Sequence, residues 1–435
     1  MKRYKWDLIA AGVALCIVAG YFLYSGELDF GRSQPSARPV HALYVWQRLW
    51  TDEVRESLAR ATENVRHLMV LVHEDGMPAI DVDYAALAGT RLSVTLVYRY
   101  PASFGAGLET DVTQAVARVA SEIRRGCTAA QATGVRLRGV QLDYDAPTRS
   151  LRHYRDFLRD LKPELPEGLD LSITVLPTWL DDGAFSALAR GLDYYVLQVH
   201  SFERPGDIDT PMVLCDTTRI PEYVARAEDL GTPYFIALPT HGYEVAFDAK
   251  GDFAGLSAEG PDPAWPAGTQ LREVRAEPAA LAGVVNTLAE HLPDHFRGAV
   301  WFRMPVISDT RNWTWPVLTA VMEGRVPSVR FSVEIRYPDP GLAEIWLESV
   351  GEDRPNRAVE IRVSLAEGDV LASDCVNGFV ATKGGDAVIL RGAAPVDQAP
   401  ILVGWYRMKD EQAALGLKLL GTAGMEGTTE WNGAG

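Results

Sequence analysis

Eight apolar runs, each ending in aromatic, amide, imidazole, guanidinium or carboxylate groups, dominate the first three quarters of the chain. They cover residues 41–47, 67–74, 92–100, 139–145, 169–179, 193–202, 234–243 and 298–305. Their lengths suit buried strands, and the stretches between them, such as residues 51–66, 109–125 and 150–161, carry apolar residues at three- and four-residue spacing, as amphipathic helices do. Eight strand-helix units predict an α/β fold, a closed (β/α)8 barrel of the TIM type over residues 40–325. In that architecture the C-terminal strand ends converge on one mouth, where the chemistry sits.

The fourth run ends in Val140-Gln141-Leu142-Asp143-Tyr144-Asp145. Asp143 and Asp145 are two residues apart, so on a strand they share a face with Cα atoms ~6.6 Å apart. Glycoside hydrolysis needs two carboxyl groups flanking the bond, close for retention and wider for inversion. The partner of Asp145 must come from another strand, and Glu74 and Glu244 are the best placed, with Glu203 a third. The bland alternative is a buried acceptor at Asp143 and a helix cap at Asp145.

Aromatic residues near strand ends, namely Trp46, Tyr98, Tyr144, Trp179, Tyr243 and Trp301, offer flat surfaces for pyranose faces. Gln47, Gln198, His200, His241 and Arg303 are candidates for binding hydroxyls. Arg303 has a second expected role as a buried ion-pair partner of Asp143.

The passages Tyr44-Val45-Trp46-Gln47, Gly139 to Asp145, Leu171 to Trp179, Val196-Leu197-Gln198-Val199-His200 and Ala237 to Tyr243 resemble DUF3142, a bacterial family of unknown function in the glycoside hydrolase-like superfamily of TIM barrels. The resemblance implies a fold and carries no activity. More distantly, the fourth run is similar to the Asp-x-x-Asp-x-Asp-x-Glu pattern of family 18 chitinase-like hydrolases. Asp143 and Asp145 match its last two Asp positions, but Pro147 stands in place of the acid Glu and Val140 in place of the first Asp. The carboxylate work then falls to Asp145, with Asp143 assisting.

The rest of the chain adds two expected modules. Residues 1–24 combine Lys2, Arg3 and Lys5 with an uncharged apolar stretch, matching a signal anchor or a secretory leader. The uncleaved anchor is favoured, because no good small-x-small site follows Tyr24. It places a barrel on the periplasmic face of a bacterial inner membrane, and cleavage would make it secreted. Residues 25–39 read as a linker. After residues 324–327, short alternating segments predict a small antiparallel β domain over residues 328–435, with Trp346 facing inward and a frayed last dozen residues.

A net charge of −16 argues against nucleic acid or an anionic lipid surface as partner, and favours neutral or cationic ligands. The cysteines Cys127, Cys215 and Cys375 suggest no disulfide framework and no zinc site. No P-loop, dinucleotide fingerprint or Gly-x-Ser-x-Gly elbow is present, so no cofactor is expected. The leading expectation is a glycoside hydrolase-like enzyme acting on an envelope or exported polysaccharide. The alternative is a non-catalytic carbohydrate-binding barrel in envelope assembly. A metal-dependent hydrolase using His73, His200 and His241 is a weaker third reading, and no metal is expected. The oligomeric state is open.

Overall fold

A computed structural model describes residues 39–200, 204–258, 263–353, 358–364, 370–384, 387–394, 399–411 and 415–422. The expected anchor at residues 1–24, the linker up to residue 38, Glu203 and the last dozen residues lie outside the described residues. Among the described residues, no helix is long and apolar enough to cross a membrane.

The chain alternates as expected. In order come β1 (Val40–Val45), α1 (Asp52–Asn64), β2 (His67–Glu74), α2 (Tyr84–Thr90), β3 (Ser93–Arg99), α3 (Phe104–Thr110), α4 (Val112–Ala132), β4 (Arg136–Asp143), α5 (Leu151–Leu161), β5 (Asp170–Val175), α6 (Gly183–Ala189), β6 (Tyr194–Gln198), α7 (Ile220–Asp229) and β7 (Tyr234–Pro239). After an antiparallel excursion of β8 (Gly242–Phe247), β9 (Phe253–Ser257) and β10 (Gln270–Arg275) come α8 (Pro278–Glu290), β11 (Phe296–Phe302) and α9 (Trp315–Met322). Parallel pairing closes β1-β11-β7-β6-β5-β4-β3-β2 into a barrel. At the β1–β11 seam Gly298 adopts φ +143, and a Cβ there would collide with the Val40 carbonyl, so only glycine lets these two strands approach.

Strand alternation divides the side chains. Leu43, Val45, Val94, Leu96, Val140 and Leu142 face the helices and join one continuous core with them. The alternate residues fill the barrel interior, and many are polar but satisfied. Tyr44 donates to Gln141 Oε1 at 2.7 Å, and His67 bonds both Ser93 and Thr95. Burial holds His67 neutral, its pKa lowered to about 3.

Two β-bulges alter this alternation on the strands that matter most. Leu71 pairs with Val97 but His73 with Tyr98, so Val72 is an extra residue in β2. Arg138 is likewise extra in β4, between the pairs Val94–Leu137 and Thr95–Gly139.

The Gly- and Pro-rich segment between β7 and α8 forms a three-stranded sheet of order β10-β8-β9. Val245 and Phe247 root it in the barrel core. Arg272 ties it to the carbonyls of Ile208 and Thr210 in the loop after β6.

The C-terminal part forms two four-stranded antiparallel sheets with their own core. One is β12 (Phe331–Asp339), β13 (Leu342–Ser349), β18 (Ile401–Met408) and β15 (Val370–Cys375). The other is β16 (Val380–Gly384), β17 (Ala387–Ala393), β14 (Ala358–Ser364) and β19 (Gly416–Thr422). Ala343, Ile345 and Leu347 of β13 point into the core, which puts Trp346 on the opposite face and corrects its expected inward position. Trp346 instead lies under the Arg336 guanidinium, 4.3 Å from its ring centre, and donates to Glu344 at 3.0 Å. Cys127, Cys215 and Cys375 form no disulfide, and Cys127 is a core residue on the buried face of α4.

Candidate active site

Three neighbouring strands end in a lateral row. Glu74 of β2 pairs in register with Arg99 of β3, and Arg99 with Asp143 of β4. Register partners in a sheet point the same way, so the three side chains stand side by side at the mouth. The Arg99 guanidinium lies 3.7 Å from a carboxylate oxygen of each neighbour. Arg48, in the loop after β1, donates to Glu74 from the other side at 2.7 Å. The row exists because of the Val72 bulge. Were Val72 paired with Tyr98 in unbroken register, His73 would stand beside Arg99; with Val72 bulged out, His73 turns toward Glu122 of α4, 3.5 Å away, and Glu74 takes the mouth position.

Asp143 is buried, and Thr174 of β5 donates to it at 2.7 Å. Burial first, then the charge of Asp145, push its pKa up to about 6, against the lowering effect of Arg99 and Thr174. Asp145, beyond the strand end, is exposed at the cleft. Its carboxyl is also raised by desolvation, which outweighs the opposing influence of Arg99 and a hydrogen bond from Gln198. Asp145 is no helix cap: the turn Thr148–Ser150 and α5 behind it start without a side-chain cap bond. Glu74, Asp75, Arg99, Tyr100, Pro101, Ala102, Asp143 and Asp145 enclose a cavity of about 300 Å³.

An aromatic cluster lies beside Arg99. Trp46 of the β1 end packs edge-on against Phe302 at 5.0 Å and lies 5.6 Å from the Arg99 guanidinium. Phe302 in turn stacks on His200 at 5.5 Å and meets His241 at 5.3 Å. Each imidazole donates from Nδ1 to a backbone carbonyl, His200 to Ala237 and His241 to Phe302, both at 3.1 Å. Burial keeps both neutral, lowering His200 to about 4 and His241 to about 3. Tyr243, half-buried on β8, packs edge-on against His241 at 5.1 Å. Gln47 donates to the Met304 carbonyl at 3.0 Å.

Six expected site residues do other work. Tyr98, Tyr144 and Trp301 alternate with inward residues and therefore face the helices, each almost fully buried in the outer core. Tyr98 donates to the Ile123 carbonyl of α4, Tyr144 packs between Phe104 and Tyr154, and Trp301 donates to His41. Trp179 sits in the turn after β5, buried against Phe185. Glu244 lies on the excursion sheet, where Trp265 donates to it at 2.9 Å and Arg311 pairs with it at 3.4 Å, so it secures that sheet and does not line the cavity. Arg303 binds Asp309 at 2.6 Å and the Ala258 carbonyl; the guanidinium beside Asp143 is that of Arg99. The expected convergence of three histidines on a metal also gives way. His73 faces α4 while His200 and His241 face each other, and no metal-ligand cluster occurs among the described residues.

The important residues passed over in sequence are Arg99 and Thr174. The usable signal for Arg99 was its place at the end of β3, between strands ending in acids.

Residues 107–307 match the model of a domain of unknown function, DUF3142, a span that holds Asp143 and Asp145 but not Glu74 or Arg99. No curated protein matches the sequence. Among solved structures, the spore cortex-lytic enzyme SleL of Bacillus cereus is similar at 14% identity and a TM-score of 0.50, over 66% of this chain and 74% of that one. A chitinase from Chromobacterium violaceum matches at 14% identity and 0.45, over 66% and 98%. The C-terminal domain of a putative chitinase from Desulfitobacterium hafniense matches at 14% identity and 0.48, also over 66% and 98%. At these identities the likeness is one of fold, a TIM barrel.

Proposed function

We propose that this chain is a glycoside hydrolase acting on an envelope or exported polysaccharide, with Asp145 as proton donor, Asp143 sharing that proton and Glu74 as second carboxylate. The observation that carries the reading is the row Glu74–Arg99–Asp143, with Asp145 beyond it, around one cavity. The raised pKa of Asp143 and the desolvation of Asp145 leave a proton on this pair closer to neutrality than an ordinary carboxyl would hold it, as a general acid requires.

Glu74 and Asp143 stand two strand spacings apart, roughly 9.6 Å at the backbone. We write the reaction as inverting, with a water between Glu74 and the sugar. In the reaction, Asp145 gives its proton to the glycosidic oxygen as the bond to the anomeric carbon breaks. A water on the opposite face adds to that carbon and loses its proton to Glu74. Arg99 holds the carboxylates in place, and Trp46 with Phe302 offers an apolar wall to a sugar ring. The segment 1–24, with its basic flank, would hold the barrel on the periplasmic face of the inner membrane.

One observation favours the second reading, a non-catalytic carbohydrate-binding barrel: Arg48 and Arg99 both close on Glu74, and Pro147 follows Asp145 where related hydrolases place an acid. The test is to incubate the purified protein with envelope polysaccharides and follow products by mass spectrometry, with anomeric configuration read by NMR. Asp145→Asn should lower turnover at least about a hundredfold. Undiminished turnover removes Asp145 from the role, and a sugar bound but never cleaved selects the binding barrel.

A further inference from the structure

The β domain carries a second group of rings that the barrel's chemistry does not use. In β13, Ala343, Ile345 and Leu347 pack into the domain core, so Glu344, Trp346 and Glu348 face outward. In β18, Val403 and Tyr406 pack inward, and Trp405 pairs with the outward-facing Glu344. Neither indole belongs to the core, and these are the domain's tryptophans among the described residues. Trp346 is two residues from Glu344 on the same strand, so the two indoles are diagonal cross-strand neighbours, roughly 7–8 Å apart at the backbone. Both are half-buried on the sheet face. Arg336 lies over the Trp346 ring at 4.3 Å and Glu344 accepts from its Nε1 at 3.0 Å, which holds that ring in one pose. Trp405 stands in a cross-strand row with Arg336, Glu344 and Asp374, and its side chain makes no hydrogen bond or ring contact among the described residues. The outward face of the other sheet, which carries Glu360, Arg362, Arg391 and Lys418, has no ring among the described residues.

The size and charge of the Trp346 face select its occupant. Its central strands are eight residues long. Four such strands give a face of roughly 20 Å by 26 Å, about 500 Å². A folded partner or a second copy needs about 800 Å² on each side of a stable interface, whereas an extended polymer is one strand wide. The outward positions Glu334, Glu344, Glu348 and Asp374 outnumber Arg336 and Arg407, so a polyanion is repelled. Flat indoles offer apolar surface to the C–H faces of sugar rings, and the charged side chains around them can bond hydroxyls. A ring already held in place loses little freedom when a ligand arrives.

We infer that the outward face of the sheet β12-β13-β18-β15 binds an extended, uncharged polysaccharide strand, with sugar rings on Trp405 and Trp346 and hydroxyls on Glu344, Asp374 and Arg336. This site shares no residue with the barrel cavity and does not depend on the barrel's reaction.

The test is electrophoresis of the full chain, in a detergent that carries no sugar, through native gels containing hydroxyethylcellulose, laminarin, dextran or no polysaccharide. At least one of the three polymers should retard the protein. Trp405→Ala should weaken that retention at least about tenfold, and Trp346→Ala should weaken it several-fold. Trp405→Phe, which keeps a flat ring, should retain most of it, and denaturation curves check that each variant folds. Retention unchanged when both tryptophans are replaced by Ala assigns the polymer to the barrel and overturns the inference, as does retention by none of the three polymers. Self-association of the chain in sedimentation, abolished by Trp405→Ala, gives the face to a second copy and likewise overturns it. Loss of retention in the Trp405→Ala variant upholds it whether or not the barrel cleaves any sugar, so the hydrolase reading stands or falls by its own experiment.

Discussion

Glu74 and Arg99 meet at 3.7 Å because one residue, Val72, is extra in β2, and the position of the second carboxylate depends on that bulge. Arg99 thereby becomes the hinge of the site's electrostatics, since it also faces Asp143. Replacing Arg99 by Ala removes the cation that lowers Asp143. The proton on the Asp143–Asp145 pair should then come off at higher pH. An NMR titration of the carboxyl carbons checks this, and an unchanged or lower midpoint for Asp143 contradicts it.

Asp143 also makes stability depend on pH. Its folded pKa of about 6 exceeds the usual 3.8, so between these values the folded state holds the extra proton and stability falls as pH rises. Asp143→Asn keeps an acceptor for Thr174 and removes the charge. It should stabilise the protein above about pH 6 by roughly 1–3 kcal/mol, at 1.36 kcal/mol per unit, and by little near pH 4. Urea unfolding of both forms at the two pH values decides the matter; a destabilised variant at high pH is the contrary result.

His200 and His241 should not titrate across the neutral range. Their folded values near 4 and 3 lie below the ordinary 6.5, so the unfolded chain binds more protons in between, and stability is lost as pH falls through that window. Imidazole NMR shifts should stay flat from about pH 5.5 to 8 and report the Nδ1–H form. A midpoint near 6.5 for either ring would show that the burial argument fails.

Tyr144 separates structural from ligand-facing aromatics. Its hydroxyl has no partner and its ring is packed between Phe104 and Tyr154. Tyr144→Phe should be close to neutral, whereas Tyr144→Ala should cost about 3–5 kcal/mol as a cavity in the outer core. Sugar affinity of the folded Phe variant should match wild type. A large loss of affinity in that variant would place Tyr144 at the ligand after all.

Trp346 offers a cheap control in the β domain. Resting on the surface under Arg336, it should lose about 1 kcal/mol or less on change to Ala, against about 2–5 kcal/mol for Ile345→Ala in the adjoining core. Chemical denaturation of the two variants reverses this order only if the alternation of β13 has been misassigned.

The barrel was legible because each strand announces itself by an apolar run with a polar end, and these ends converge wherever the chain is parallel and closed. The alternation within those runs held more than was taken from it. Tyr144 lies between Asp143 and Asp145, so it had to face the other way, and Tyr98 beside Arg99 obeys the same rule. Other features left no mark. Leu71-Val72-His73-Glu74 contains no glycine or proline to advertise a bulge, and only pairing with β3 creates one. The excursion sheet hid behind a composition rich in glycine and proline, since its strands are five or six residues long and its hydrogen bonds join distant positions.

The excursion sheet pairs its three strands with one another and is tied to its surroundings at a few points, such as the bond from Gly242 N–H to the Arg311 carbonyl, while the charged row is fixed by barrel register. None of the residues that line the cavity lies on that sheet. Descendants of such a chain can therefore vary the sheet while inheriting the carboxylates unmoved, and a protein engineer can alter it without touching the row.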